Sequence, residues 1–163
     1  MRQLRGLVKE YPGETKHVVN LFHVYLQMGS ISLAESLLSS LPSELQPSAS
    51  ALLAMAKEDY PSAVEKFSSL LQQDPQNQIL ATNLALTHLY YANAQSGIAK
   101  LEPTIQSPIS KIGSLPHSIY NLCTIYEIRD DKARQKKEAV METAVTQYGD
   151  VCGKAHFKLD SLR

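Results

Sequence analysis

A chain of 163 residues is the size of one ordinary domain. Its 16 basic and 16 acidic side chains give a formal charge of zero, which argues against a nucleic-acid binder, whose usual footprint is a net basic face. An apolar content of 44% with 20% charged residues excludes a disordered chain, and no stretch of about 18 apolar residues is present to cross a membrane. The opening Met1-Arg2-Gln3-Leu4-Arg5-Gly6 lacks the long apolar core of a signal peptide. Cys123 and Cys152 therefore read as free thiols in a reducing, cytoplasmic compartment.

Along the chain, Leu4, Leu7 and Val8 up to Tyr11-Pro12-Gly13 read as the second helix of a pair whose first member is missing, so the chain reads as a piece of a longer protein. Val18, Leu21, Phe22, Tyr25 and Met28 follow helical spacing and predict a helix over 15–28, stopped by Gly29-Ser30. Leu33, Ala34, Leu37, Leu38 and Leu41 predict its partner, ended at Pro42-Ser43. A second pair follows, with Ala51 in its first helix and Asp59-Tyr60-Pro61-Ser62-Ala63-Val64-Glu65-Lys66-Phe67 opening its second, closed by Asp74-Pro75.

Ile79, Leu80, Leu84, Ala85 and Leu89 predict the next first helix, and Ala92-Asn93-Ala94 a turn. Ile98, Leu101 and Ile105 predict its partner, which Pro103 should kink or end early. Ser107-Pro108 to Pro116 is a breaker-rich connection. Ile119, Leu122, Cys123 and Tyr126 begin another pair, with Asp130-Asp131 as a cap. Ala133 to Tyr148 carries Val140, Ala144, Val145 and Tyr148 on one face and ends at Gly149. Val151, Ala155 and Leu159 predict a final helix from Asp150.

A helix–turn–helix unit recurring at about 34 residues resembles the tetratricopeptide (TPR) repeat. Counting back from Pro75 as the closing proline places Ala51 and Ala63 at the small-residue positions and Phe67 at the aromatic one; Ala34 and Gly97 take the same small slot in their own pairs. Helix axes about 8–10 Å apart leave no room there for a branched side chain. The expected fold is all-α: a right-handed superhelical solenoid of about four to five repeats with a C-terminal capping helix. One domain, 1–163, would divide into a partial repeat 1–13, repeats 14–43, 44–77, 78–115 and 116–149, and a cap 150–163. Leu84 to Leu122 is a step of 38 residues, so the last full repeat is displaced by about four from the ordinary period.

Asn20, Asn83 and Asn121 each precede an equivalent leucine, Leu21, Leu84 or Leu122. In such a stack this position lines the concave groove, where an amide can bond an extended peptide; a solvated amide or one bonded to a neighbouring helix is the plainer reading. Arg134, Lys136 and Lys137 belong to a basic run interleaved with Asp130, Asp131 and Glu138, which reads as a solvated helix face, or as a contact for an acidic partner surface or anionic lipid headgroups. No two of the five histidines stand four apart, no Cys-x-x-Cys occurs, and no Gly-rich phosphate loop or nucleophile elbow is present. The chain is expected to be non-enzymatic and to hold no cofactor or metal. The clamp residues of chaperone adaptors of the TPR family find Val19, His23 and Ala49 in their places, or Ser48 and Leu52 one repeat later, with only Asn83 matching.

Ala51-Leu52-Leu53-Ala54-Met55-Ala56, Asn83-Leu84-Ala85 with Leu89-Tyr90-Tyr91, and Tyr120-Asn121-Leu122-Cys123-Thr124-Ile125-Tyr126-Glu127 followed by Gln135-Lys136-Lys137 resemble one family over about residues 50–160: subunit 12 of the transport protein particle (TRAPP) complex. The resemblance implies a structural subunit of a complex that tethers vesicles between the endoplasmic reticulum and the Golgi and acts as exchange factor for a Rab-type GTPase. The exchange chemistry belongs to other subunits, so no catalytic residue carries over. The implied partners are other protein subunits, with membrane association only through them. The alternative is a TPR peptide-recognition adaptor of the co-chaperone or import type. An exposed apolar patch would favour the scaffold, and a polar, asparagine-lined groove the adaptor.

Overall fold

The computed structural model describes Gly6, residues 15–106 and residues 114–159, with Asp150 described by its backbone alone. The expectations for the opening partial repeat, for most of the breaker-rich connection and for 160–163 lie outside the described residues. Every regular element among the described residues is helical, as the sequence periods require. These residues form eight α-helices: α1 (Thr15–Gln27), α2 (Ile31–Leu37), α3 (Gln46–Ala56), α4 (Tyr60–Gln73), α5 (Gln78–Tyr90), α6 (Ala94–Gln106), α7 (Leu115–Arg129) and α8 (Ala133–Tyr148).

Three of the turns between helices share one geometry. Gly29, Glu58 and Ala92 adopt positive φ of 66°, 62° and 58°. The amide of the following residue then reaches back five positions: Ser30 N–H to the Tyr25 carbonyl at 2.9 Å, Asp59 to Ala54 at 3.0 Å, Asn93 to His88 at 2.8 Å. This is a Schellman turn, which satisfies carbonyls that a helix end leaves open. In the second and third of these turns the residue that ends the turn also starts the next helix. The Asp59 carboxylate accepts the Ser62 amide and the Asn93 side chain accepts that of Ser96, each at 3.2 Å. Asn77 caps α5 in the same way through the Leu80 amide.

The chain divides into two compact units, 1–66 and 67–163. In the first, Val18, Leu21, Phe22 and Tyr25 of α1 form a core with Ala34, Leu41, Ala49 and Leu53. The partner helix is shorter than its leucine pattern predicts: α2 ends at Leu37, and Leu38–Ser40 tighten into a 3-10 turn before Pro42. Met28 and Leu33, read from the sequence as core-facing, are exposed. Ala51 and Ala63 are fully buried, and the Lys66 ammonium donates to Ser50 Oγ at 2.8 Å, joining α4 to α3.

The second unit builds its core from α5 to α8 and the segment after α8, with Leu101, Leu115, Ile119, Leu122, Ile125 and Phe157 at its centre. Phe67 is also fully buried. Gly97 marks a close approach of α6 to α5: a Cβ at this position would stand 2.7 Å from the Ala85 carbonyl oxygen. Pro103 does not end α6 early as expected; the helix runs through it to Gln106. Its ring removes only the bond to the Ala99 carbonyl, which lies on an exposed residue where water can replace it. Val145 faces solvent rather than the core, as does Ile79.

The predicted final helix is a further departure. Gly149 ends α8 at φ 61°, and the described continuation forms two 3-10 turns, Gly149–Val151 and Lys154–Phe157, separated by Cys152-Gly153 in extended conformation. Phe157 alone of these is buried, packed into the core of the unit.

Candidate protein-binding surface

The exposed side of α5 carries Ile79, Asn83, Leu86 and Tyr90, and that of α7 carries His117, Asn121, Thr124 and Ile128. Each set follows the i, i+4, i+7, i+11 spacing of one helix face. Ile79, Tyr90 and Ile128 are 57%, 62% and 56% exposed, and Tyr120 beside them is 46% exposed. Large apolar side chains in such positions keep about half or more of their surface in solvent.

The two helices are held side by side by buried polar contacts. Thr82 and Ser118 share a hydroxyl hydrogen bond of 2.9 Å. The Gln78 side chain donates to the Thr104 carbonyl at 3.3 Å and accepts from the Ser114 hydroxyl, tying the start of α5 to α6 and to the start of α7. Asn83 and Asn121 follow these anchors, both half-buried. The resulting surface carries amides, aromatic rings, aliphatic side chains and the His117 imidazole, and no Asp, Glu, Lys or Arg among the stripe positions named.

At the far edge of α7 the stripe meets a charge cluster. Lys137 is fully buried, its ammonium paired with the Glu127 carboxylate and donating to the Lys158 carbonyl at 3.0 Å. Lys158 pairs with the other oxygen of Glu127, donates to Thr124 Oγ1 at 3.3 Å, and stands 5.2 Å above the Tyr120 ring. A buried lysine is tolerated only when its charge and its donors are met, and here both are. The cluster straps residues 154–159 onto α7 and α8.

This corrects the sequence reading of the basic run. Lys137 belongs to the interior and offers nothing to a partner. Lys136 is half-buried and pairs with Asp130 at 2.6 Å, with its ammonium 5.2 Å over the Tyr126 ring. That bond and the Lys132 amide hold the Asp130 carboxyl below the usual carboxylate range. Asp130 bonds the Lys132 amide at 2.9 Å, so it shapes the turn, and Lys132 rather than an aspartate takes the cap position of α8. Arg134 alone of the three is exposed, paired with Glu138 one helical turn on at 3.0 Å. Asn20 is exposed on α1 of the first unit.

Of the structural positions read from the sequence, Ala34, Ala51, Ala63 and Phe67 are fully buried, Gly97 is buried at the α5 approach, and Pro75 is exposed in the turn before α5. Cys123 and Cys152 are free; burial pushes the Cys123 thiol up to about 11, which suits a packed apolar residue and not a nucleophile. Among the described residues no group of three or more His, Cys, Asp or Glu could hold a metal ion, and no helix is long and apolar enough to cross a membrane.

The sequence reading missed Ile79, Tyr90, Tyr120 and Ile128 as surface residues and Glu127 and Lys158 as partners of Lys137. The first group had a signal: the stripe positions of α5 and α7 repeat at the same 38-residue step as Leu84 and Leu122. The second had none, because Lys137 and Lys158 are brought to Glu127 only by the packing of three separate segments.

Among the described residues every regular element is helical, and α5 and α7 present an exposed face without Asp, Glu, Lys or Arg at its stripe positions. Comparison with known proteins adds a class: the chain is similar to a subunit of a trafficking complex. It is 26% identical over 158 residues to trafficking protein particle complex subunit 12 of Homo sapiens, and 24% identical over 157 residues to the subunit of that name in Mus musculus. These matches cover 89% and 88% of this chain but 21% and 19% of the relatives, so the chain spans about a fifth of their length. No protein-family model and no solved structure matches the chain.

Proposed function

We propose that this chain is a non-catalytic scaffold of TPR-type repeats that binds other subunits of a vesicle-tethering complex of the TRAPP kind. The observation that carries the reading is the stripe on α5 and α7: large apolar side chains held in solvent on two helices fixed side by side. Partner surfaces are enriched in such aromatic and aliphatic anchors and poor in charge at their centre. The similarity to a trafficking complex subunit over most of the chain narrows the partner to that complex. The repeated Schellman turns and the close approach at Gly97 support the repeat register. The protein would work in the cytoplasm, reaching membranes of the endoplasmic reticulum and Golgi only through its partners.

Asn83 and Asn121 would bond partner backbone at the rim of the apolar anchors. The apolar weight of the stripe favours a subunit interface over a peptide-reading groove. The test is affinity purification of the tagged chain from cell extract, read by mass spectrometry, beside an Ile128→Asp, Tyr90→Asp variant with an unchanged melting temperature. Tethering-complex subunits should accompany the parent chain and be lost from the variant. Recovery of chaperones through a C-terminal tail, with no tethering subunit, would replace this reading with the adaptor.

A further inference from the structure

We propose that the cleft between α6 and α8 receives a single arginine side chain of a partner protein, its stem on an apolar floor and its head on Glu102. The cleft has a volume of about 200 Å³. That is below the roughly 300–1,000 Å³ of small-molecule sites and suits one long side chain. Its apolar part is Ile105 of α6, Leu122 of α7, and Ala139 and Val140 of α8; Gln106, Thr143, Glu102, Tyr126 and Lys136 supply the polar part. It opens on the side of α7 opposite Asn121, Thr124 and Ile128, so it is distinct from the uncharged stripe.

Two polar walls give it a sign. Tyr126 is buried, and its hydroxyl donates to Glu102 Oε1 at 2.6 Å, which fixes the carboxylate at the mouth and leaves Oε2 for a second donor. Burial, and then this bond, raise the Tyr126 phenol above its ordinary value, so it stays a donor at any physiological pH. Lys136 lies on the facing wall but is held by Asp130, and that pair is neutral as a unit. Among the described residues no lysine or arginine forms an ion pair with Glu102. The cleft therefore offers a carboxylate with no ion-pair partner among the described residues, beside an apolar floor, while its one lysine is already paired with Asp130.

A cationic side chain with an aliphatic stem complements both features. Arginine fits better than lysine, because guanidinium is more weakly hydrated and matches a carboxylate with a planar pair of donors. An acidic side chain would meet Glu102 as a like charge.

The inference rests on the chain being a protein binder but not on which complex it joins. The test is an NMR titration of the isotope-labelled chain with the tripeptide Leu-Arg-Leu, blocked at both ends, and with versions carrying citrulline or glutamate in place of arginine. The arginine peptide should give saturable shifts at the amides of Tyr126, Ala139 and Thr143. The citrulline and Glu102→Gln combinations should each bind about tenfold more weakly, the loss expected for one charge-assisted contact. Glu102→Gln keeps an acceptor for Tyr126, and Tyr126→Phe keeps the carboxylate, so the second variant should still bind arginine even if its melting temperature falls. Equal shifts from the citrulline or glutamate peptide, shifts confined to the exposed faces of α5 and α7, or unchanged binding by Glu102→Gln would overturn the proposal. The peptides contain no tethering subunit, so failure here leaves the scaffold to be decided separately by co-purification.

Discussion

Lys136 and Lys137 are neighbours in sequence and opposites in the fold. Lys137→Ala removes the buried partner of Glu127 and the donor to the Lys158 carbonyl, and should cost about 3 kcal/mol, the low end for breaking a buried pair, since Lys158 still holds Glu127. Lys136→Ala breaks a half-exposed pair and should shift stability by no more than about 1 kcal/mol. Equal midpoints for the two variants would refute the assignment. Gly97→Ala should destabilise by roughly 1–3 kcal/mol, because the added methyl meets the backbone of Ala85 and not a side chain that could move. Gly153→Ala is the control: its Cβ would meet only the His156 ring at 3.7 Å. His88 supplies a pH dependence. Burial, and then Lys100, lower its pKa, and its buried Nδ1 has no hydrogen-bond partner. As pH falls through the ordinary histidine value of about 6.5, the unfolded chain takes up the proton first, so stability is lost below that point. Denaturant midpoints at neutral and mildly acid pH should separate in the parent and draw together in His88→Leu.

Among the helices, the recurring turn decides where strain is kept. Gly29 meets a positive φ without cost, whereas Glu58 and Ala92 meet it with a Cβ. Ala92→Gly should therefore stabilise by about 0.5–1 kcal/mol, the left-handed cost less the greater entropy that glycine loses on folding. A lowered melting temperature would show that the left-handed conformation is not populated in solution. The segment after α8 acts through one side chain. Phe157→Ala should cost roughly 3–5 kcal/mol by opening a cavity against the core of the second unit. Deleting 150–163 should do the same and promote aggregation; equal solubility and melting temperature would make the segment a loose tail.

At the scale of the molecule, the sequence by itself determined that the chain is helical and where most helices start and stop. The ends of α1 and α8 were legible because Gly29 and Gly149 announce them; the caps that Asp59 and Asn93 supply to α4 and α6 were there to be read, whereas the one cap expected, Asp130-Asp131, gives way to Lys132. Such signals act within one or two turns of chain, so a single segment carries them in full. Of the candidate surface, only Asn83 and Asn121 were marked in advance. Ile79 was assigned inward and Lys137 outward, each on the strength of side-chain type, and the structure reverses both. Burial is a property of neighbours: Ile79 is left in solvent because Ala81, Leu84 and Ala85 already fill the inner face of α5, and Lys137 is drawn inside because Glu127 and the Lys158 carbonyl meet its charge. Glu127 and Lys158 stand 10 and 21 residues from Lys137 and meet it only when separate segments pack, so only the tertiary structure could decide which faces bind the chain to itself and which remain for a partner.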